Sequence, residues 1–217
     1  HGDIDRRTFL ARVGKFAVGT VTAAGLLGAL SPRFAEAQQI APTDARLEAR
    51  YVEYDSPKGH GKARGYLVRP TKAKGSLPLV LVVHENRGLN PHIEDVARRV
   101  ALEQFVALAP DALFPLGGYP GDEDRARTLF QTLDQPKAFE DFIAATQYLR
   151  AQPGTSDRLG VVGFCYGGAI ANRLAVALPD LAAAVPFYGS APPLDDVGAI
   201  KAELLLHFAA NDERVNA

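Results

Sequence analysis

The sequence has one cysteine and neither methionine nor tryptophan among 217 residues, and no excess charge of either sign. A single cysteine excludes an internal disulfide and any multi-cysteine metal site, leaving either a buried spectator or a reactive thiol. The 24 basic and 25 acidic residues nearly cancel, so no strong field favours nucleic acid or an acidic membrane surface. Internal repeats and long low-complexity linkers are also lacking. The missing methionine and tryptophan exclude nothing, because the chemistry read below needs neither.

With 47% hydrophobic and 23% charged residues, the chain can bury one substantial core but not two catalytic domains. It begins at His1 rather than methionine, which reads as a trimmed start. Residues 1–37 read as an export signal rather than part of the fold. Asp5-Arg6-Arg7-Thr8-Phe9-Leu10 precedes a small-residue apolar run from Val18 to Leu30, then Ser31-Pro32 and Ala35-Glu36-Ala37. A basic start, apolar middle and A-x-A end have this pattern, and the paired arginines resemble the twin-arginine type. The run is short for a membrane span and Lys15 interrupts its beginning. Cleavage after Ala37 would leave a periplasmic domain over residues 38–217 with no stable membrane insertion.

From residue 41 onward β-rich runs alternate with helical segments, the pattern of an α/β fold with a mostly parallel sheet and helices on both faces. Expected strands are Gly65 to Arg69, Leu79 to Val83, Val106 to Ala109, Gly160 to Gly163, Ala183 to Tyr188 and Glu203 to Ala209. Several are continuously apolar, as strands buried on both faces should be. Helical character falls on Ile93 to Glu103, Asp122 to Leu133, Lys137 to Ala151 and Gly168 to Ala177. In the third, Phe139, Phe142, Ile143, Thr146 and Leu149 form one stripe.

The strongest local signal is Leu159-Gly-Val-Val-Gly-Phe-Cys-Tyr-Gly-Gly168, a strand running into Gly163-x-Cys165-x-Gly167 and then a helix. This is a nucleophile elbow with sulfur in place of oxygen. The glycines are required because side chains two residues either side of the nucleophile would collide with neighbouring backbone. Cys165 should therefore stand at the carboxyl edge of the sheet, where open α/β sheets bind ligands, with a helix beginning just after it.

Gly163-Phe164-Cys165-Tyr166-Gly167-Gly168, with His84-Glu85-Asn86-Arg87-Gly88 upstream and Asn211-Asp212 downstream, resembles the dienelactone hydrolase family over roughly residues 50 to 217. The resemblance implies an α/β hydrolase that opens a lactone or carboxylic ester through a thioester on Cys165. It implies that Glu85 lies beside the thiol and accepts its proton. In this fold the oxyanion is held by the amide after the nucleophile, here Tyr166, and one from the loop after an earlier strand, here Asn86. No metal or organic cofactor is required, and the partner is a small-molecule ester or lactone.

Asp212 ends the run Leu204-Leu-Leu-His-Phe-Ala-Ala-Asn-Asp212, read as another buried strand, and takes the place of the triad acid; taken alone, Asn-Asp is equally a turn. The histidine should follow it, and Glu213-Arg-Val-Asn-Ala217 contains none. His60 reads as a surface turn, His92 as a helix start and His207 as a packing residue. His84 is the best substitute by location, although the matching family residue is not the base. The simplest expectation is a chain that stops before its catalytic histidine and closing C-terminal elements. Arg87, Arg125 and Arg127 are candidate substrate contacts without a firm family match. The competing readings are a general carboxylesterase or peptidase of the same fold, and a binding protein that has lost the base.

Overall fold

The computed structural model describes residues 38–216; the export-like segment lies outside them. Seven strands form one sheet: β1 (Leu47–Ser56), β2 (Gly61–Pro70), β3 (Leu77–Val83), β4 (Val106–Pro110), β5 (Thr155–Phe164), β6 (Ala183–Phe187) and β7 (Glu203–Leu204). Their order is β1-β2-β4-β3-β5-β6-β7. β2 runs antiparallel to β1 and β4, and β4, β3, β5, β6 and β7 run parallel. The helices are α1 (Pro91–Leu102), α2 (Glu123–Phe130), α3 (Gln135–Arg150) and α4 (Tyr166–Ala177), with short 3-10 turns at Phe114–Leu116 and Leu194–Ala199.

The pleat of β3 sorts the core into two layers, because successive side chains point to opposite faces. Leu79, Leu81 and Val83 pack with Phe142, Ala145 and Leu149 of α3 and with Ile170 and Leu174 of α4. Val80 and Val82 point the other way, toward Ile93, Ala97 and Ala101 of α1. Helices thus cover both faces, as the sequence predicts. The α3 stripe is centred on Phe142, Ala145 and Leu149, with Phe139 and Ile143 only partly buried.

Asn90, Asp122 and Asp134 cap α1, α2 and α3 by accepting from the amides of Ile93, Arg125 and Lys137, satisfying donors that a helix start leaves unpaired. Near the start of the domain, Asp95 Oδ1 accepts from the amides of Gln39 and Ile40, at 3.1 and 2.8 Å. The fully buried Arg98 donates through Nε to Ile40 O at 2.8 Å and through Nη1 to the Tyr66 hydroxyl at 3.1 Å.

One expectation gains a contact and another needs correction. His60 lies in the expected turn, but its Nδ1 lies 2.6 Å from Asp141 Oδ2 and its ring is mostly buried. Asp141 Oδ1 also accepts from the His60 amide at 3.0 Å, joining the β1–β2 turn to α3. The run Glu203 to Ala209 is not a buried strand. Only Glu203–Leu204 is regular, followed by a bridge from Phe187 to His207. Leu205, Leu206 and Phe208 are 58, 48 and 44% exposed. The cause is position: Glu203, Leu205 and His207 donate to carbonyls of the β6 segment on one side, and β7 is the edge of the described sheet.

Candidate active site

β5 ends at Phe164 and α4 begins at Tyr166, so one residue, Cys165, makes the whole turn. Its φ of 53° and ψ of −110° are sparsely populated for a residue with a Cβ, at a cost on the order of 1–3 kcal/mol. The turn is held by hydrogen bonds from Cys165 N–H to Phe187 O and from Ala169 N–H to Cys165 O, at 3.0 and 3.1 Å. The glycine requirement is steric. A Cβ on Gly163 would stand 1.9 Å from Gly167 O, and one on Gly167 would stand 2.2 Å from Val83 O.

Unlike the other three helices, α4 has no side-chain cap. Among the described residues the Tyr166 amide has no acceptor, and neither has the Asn86 amide in the loop after β3. The Asn86 side chain is turned aside, its Oδ1 accepting from Arg87 Nη1 at 2.6 Å, while Arg87 Nε pairs with Glu123 Oε2 at 2.9 Å. Of the arginines weighed as substrate contacts, Arg87 is thereby tied into the loop and α2, and the Arg125 amide belongs to the α2 cap.

Glu85 follows β3, two places along the sheet from β6. Its Oε1 accepts from the Tyr188 hydroxyl at 3.2 Å. Among the described residues no hydrogen bond joins Glu85 to Cys165 directly. Tyr188 is their common neighbour: burial first, and then the charge of Glu85, its hydrogen bond and the nearby Cys165, push its phenol up to about 12. It therefore stays protonated and donating at neutral pH. The sequence reading missed Tyr188, and the only available signal was its place at the carboxyl end of an expected strand.

The histidines divide by what holds them. His84 is fully buried, with Nδ1 2.5 Å from Glu85 O and Nε2 accepting from the Ala112 amide at 3.1 Å. Burial depresses its proton affinity below the ordinary value, so it is a neutral structural ring stacked against Tyr166. His207 stacks on Phe187, with centroids 4.2 Å apart. His92 heads α1.

Asp212 sits in a turn, its Oδ1 accepting from the amides of Arg214 and Val215, both at 3.1 Å. The described structure thus brings Cys165, Tyr166, Glu85 and Asn86 to one edge of the sheet and leaves Asp212 serving local backbone. Among the described residues no group of three or more His, Cys, Asp or Glu is arranged to hold a metal ion. No described helix is long and apolar enough to cross a membrane. An apolar groove of about 600 Å³ lies elsewhere, lined by Val80, Gly160, Val162 and Val185 along the bodies of β3, β5 and β6.

Comparison with known proteins agrees with this geometry. Over 172 residues the chain is 34% identical to a Bradyrhizobium sp protein described as a probable 2-oxo-3-(5-oxofuran-2-ylidene)propanoate lactonase, covering 73% of this chain and 68% of that one. An Escherichia coli (strain K12) protein described as a hydrolase fragment, YghX, is 55% identical over 114 residues, which is 52% of this chain and 97% of its own. The match to carboxymethylenebutenolidase relatives spans 47% of their length. The solved structure titled m3DLH superposes with a TM-score of 0.65 at 32% identity, over 78% of this chain and 72% of that one. With the profile of the dienelactone hydrolase family matching residues 63–217, the chain belongs to that family of hydrolases and has its α/β-hydrolase fold.

Proposed function

We propose that this chain carries the reaction centre of an enzyme that opens a lactone or carboxylic ester by attack of the Cys165 sulfur. The observation that carries the reading is the strained elbow at Cys165, flanked by two amides, of Tyr166 and Asn86, that have no acceptor within the described residues. Glu85 takes the thiol proton and the thiolate adds to the carbonyl carbon. The oxygen becomes an oxyanion received by the two amides. Collapse breaks the carbon–oxygen bond and leaves a thioester on Cys165, the proton taken up by Glu85 passes to the departing oxygen, and the alcohol is released, staying tethered to the acyl group in a lactone. Water then hydrolyses the thioester. Each oxyanion donor is worth about 3 to 4 kcal/mol of transition-state stabilisation.

In this reading Asp212 orients the base for the water step. Of the described histidines, His84 and His60 are engaged by backbone and Asp141, so neither is assigned that role. The engagement of Asp212 by its own turn favours a second reading, a binding protein of the same fold. Hydrolysis of a panel of lactones and aryl esters separates the two. Turnover abolished by Cys165→Ala and lowered about 10²-fold or more by Glu85→Gln, with both variants folded, is expected of the enzyme. Binding with neither turnover nor acylation of Cys165 on every substrate would establish the second reading.

We further propose that residues 1–37 direct twin-arginine export to the periplasm. Arg6→Lys with Arg7→Lys should retain the protein in the cytoplasm on cell fractionation. Unchanged periplasmic delivery would refute the assignment.

A further inference from the structure

The hydrogen bond between Tyr188 and Glu85 takes a particular route. Glu85 follows β3, Tyr188 follows β6, and β5 lies between those strands. Neighbouring strands are about 4.8 Å apart, so the link bridges two spacings, roughly 10 Å. It crosses the carboxyl end of β5, where Cys165 stands.

Tyr188 is bent to make that crossing. Its φ is 40°, in the left-handed region that a bulky residue rarely occupies. The conformation is fixed from two sides: the Tyr188 amide donates to His207 O at 2.8 Å, and the preceding carbonyl, Phe187 O, receives the Cys165 amide at 3.0 Å. Strain at the ends of both β5 and β6, joined by a backbone hydrogen bond, goes with a hydroxyl that reaches Glu85 and lies near enough to Cys165 to feel its charge. The ring is 38% exposed, so burial alone does not account for a tyrosine held in this conformation.

We propose that Tyr188 is a positioning residue for the pair formed by Cys165 and Glu85. Its hydroxyl holds the carboxylate across the end of β5 and, by donating to the ionised form, restrains it from taking the thiol proton. The inference rests on the proposed role of Glu85 as proton acceptor. Of the other titratable groups near this edge, His207 stacks its ring on Phe187. Tyr166 of α4 packs its ring on Phe130 and Phe142. His84 at the end of β3 is neutral, and Arg87 in the same loop pairs with Glu123. At 3.2 Å the bond is long for a charge-assisted one, so the restraint is modest.

The test is the rate of Cys165 alkylation by iodoacetamide as a function of pH, in the full chain and in Tyr188→Phe, Glu85→Gln and the double variant. This readout needs no turnover. Tyr188→Phe should react up to about tenfold faster at neutral pH, with its profile displaced by up to about one unit toward acid, and should have no effect in the Glu85→Gln background. A Tyr188→Phe profile that superimposes on the parent would overturn the proposal. So would an equal displacement with and without Glu85, which would mean that the hydroxyl acts on the sulfur itself. If Glu85→Gln alone leaves the profile unchanged, the role of Glu85 fails first and this inference falls with it, while the assignment of Cys165 is untouched.

Discussion

Acidification should destabilise this domain through His84. Both ring nitrogens are engaged by backbone: Nδ1 meets Glu85 O at 2.5 Å and Nε2 accepts from the Ala112 amide at 3.1 Å. That arrangement fits only the neutral ring protonated on Nδ1. A second proton on Nε2 would face an N–H donor in a fully buried site. The folded-state pKa is therefore depressed, chiefly by burial, whereas the unfolded chain titrates near 6.5. Above that value neither state holds the proton and the contribution is constant. Below it the unfolded state gains a proton that the folded state refuses, so stability falls with pH at up to about 1.4 kcal/mol per unit. From about pH 8 to about pH 5 the loss is at most about 2 kcal/mol, the limit in which the folded state takes up no proton. Urea unfolding followed by circular dichroism should show this loss in the parent. In His84→Asn it should be absent from a curve displaced downward by about 1–3 kcal/mol for each backbone group left unpaired. Contributions from other titrating groups are common to both proteins and cancel in the difference. Parallel pH dependences in the two would refute the argument and return His84 to consideration as a titrating base.

Gly163→Ala puts a methyl group 1.9 Å from Gly167 O; a loss of about 3 kcal/mol or more should lower the melting temperature by roughly 6–12 °C, and an unchanged melt would show that the elbow is looser than described. Arg98→Met leaves Asp95 and Glu94 without their buried cation, with an expected loss of about 3 kcal/mol read in the same urea assay. Asp212→Asn keeps the oxygen that accepts from Arg214 and Val215, so the fold should be unaffected; loss of hydrolysis would then report on catalysis, and full activity would remove Asp212 from the triad.

What could be read from the sequence follows from how local the physics is. The elbow is local: Gly163, Cys165 and Gly167 are fixed by contacts with one another and with β3, so the motif located the turn and the residue at its apex. The parallel strands β3, β4 and β5 were legible as apolar runs because both faces are covered. β1 was missed because Glu48, Arg50, Glu53 and Asp55 give it the composition of a solvated loop, while its regularity comes from antiparallel pairing with β2 along its whole length. Leu204 to Phe208 misled for the opposite reason, since apolar composition reports what a strand can bury and not whether neighbours cover it. The pairing of His60 with Asp141 joins residues 81 apart in sequence, and Tyr188 meets Glu85 across 103. Neither contact has a signature at short range.

The central claim is that the Cys165 sulfur attacks an acyl carbon, and intact-protein mass spectrometry after exposure to a lactone or activated ester tests it most directly. One added acyl group per chain, mapped to the Cys165 peptide, labile to hydroxylamine and absent in Cys165→Ala, is the predicted result. An unmodified chain under conditions where iodoacetamide labels Cys165, or an adduct that persists in Cys165→Ala, would contradict it.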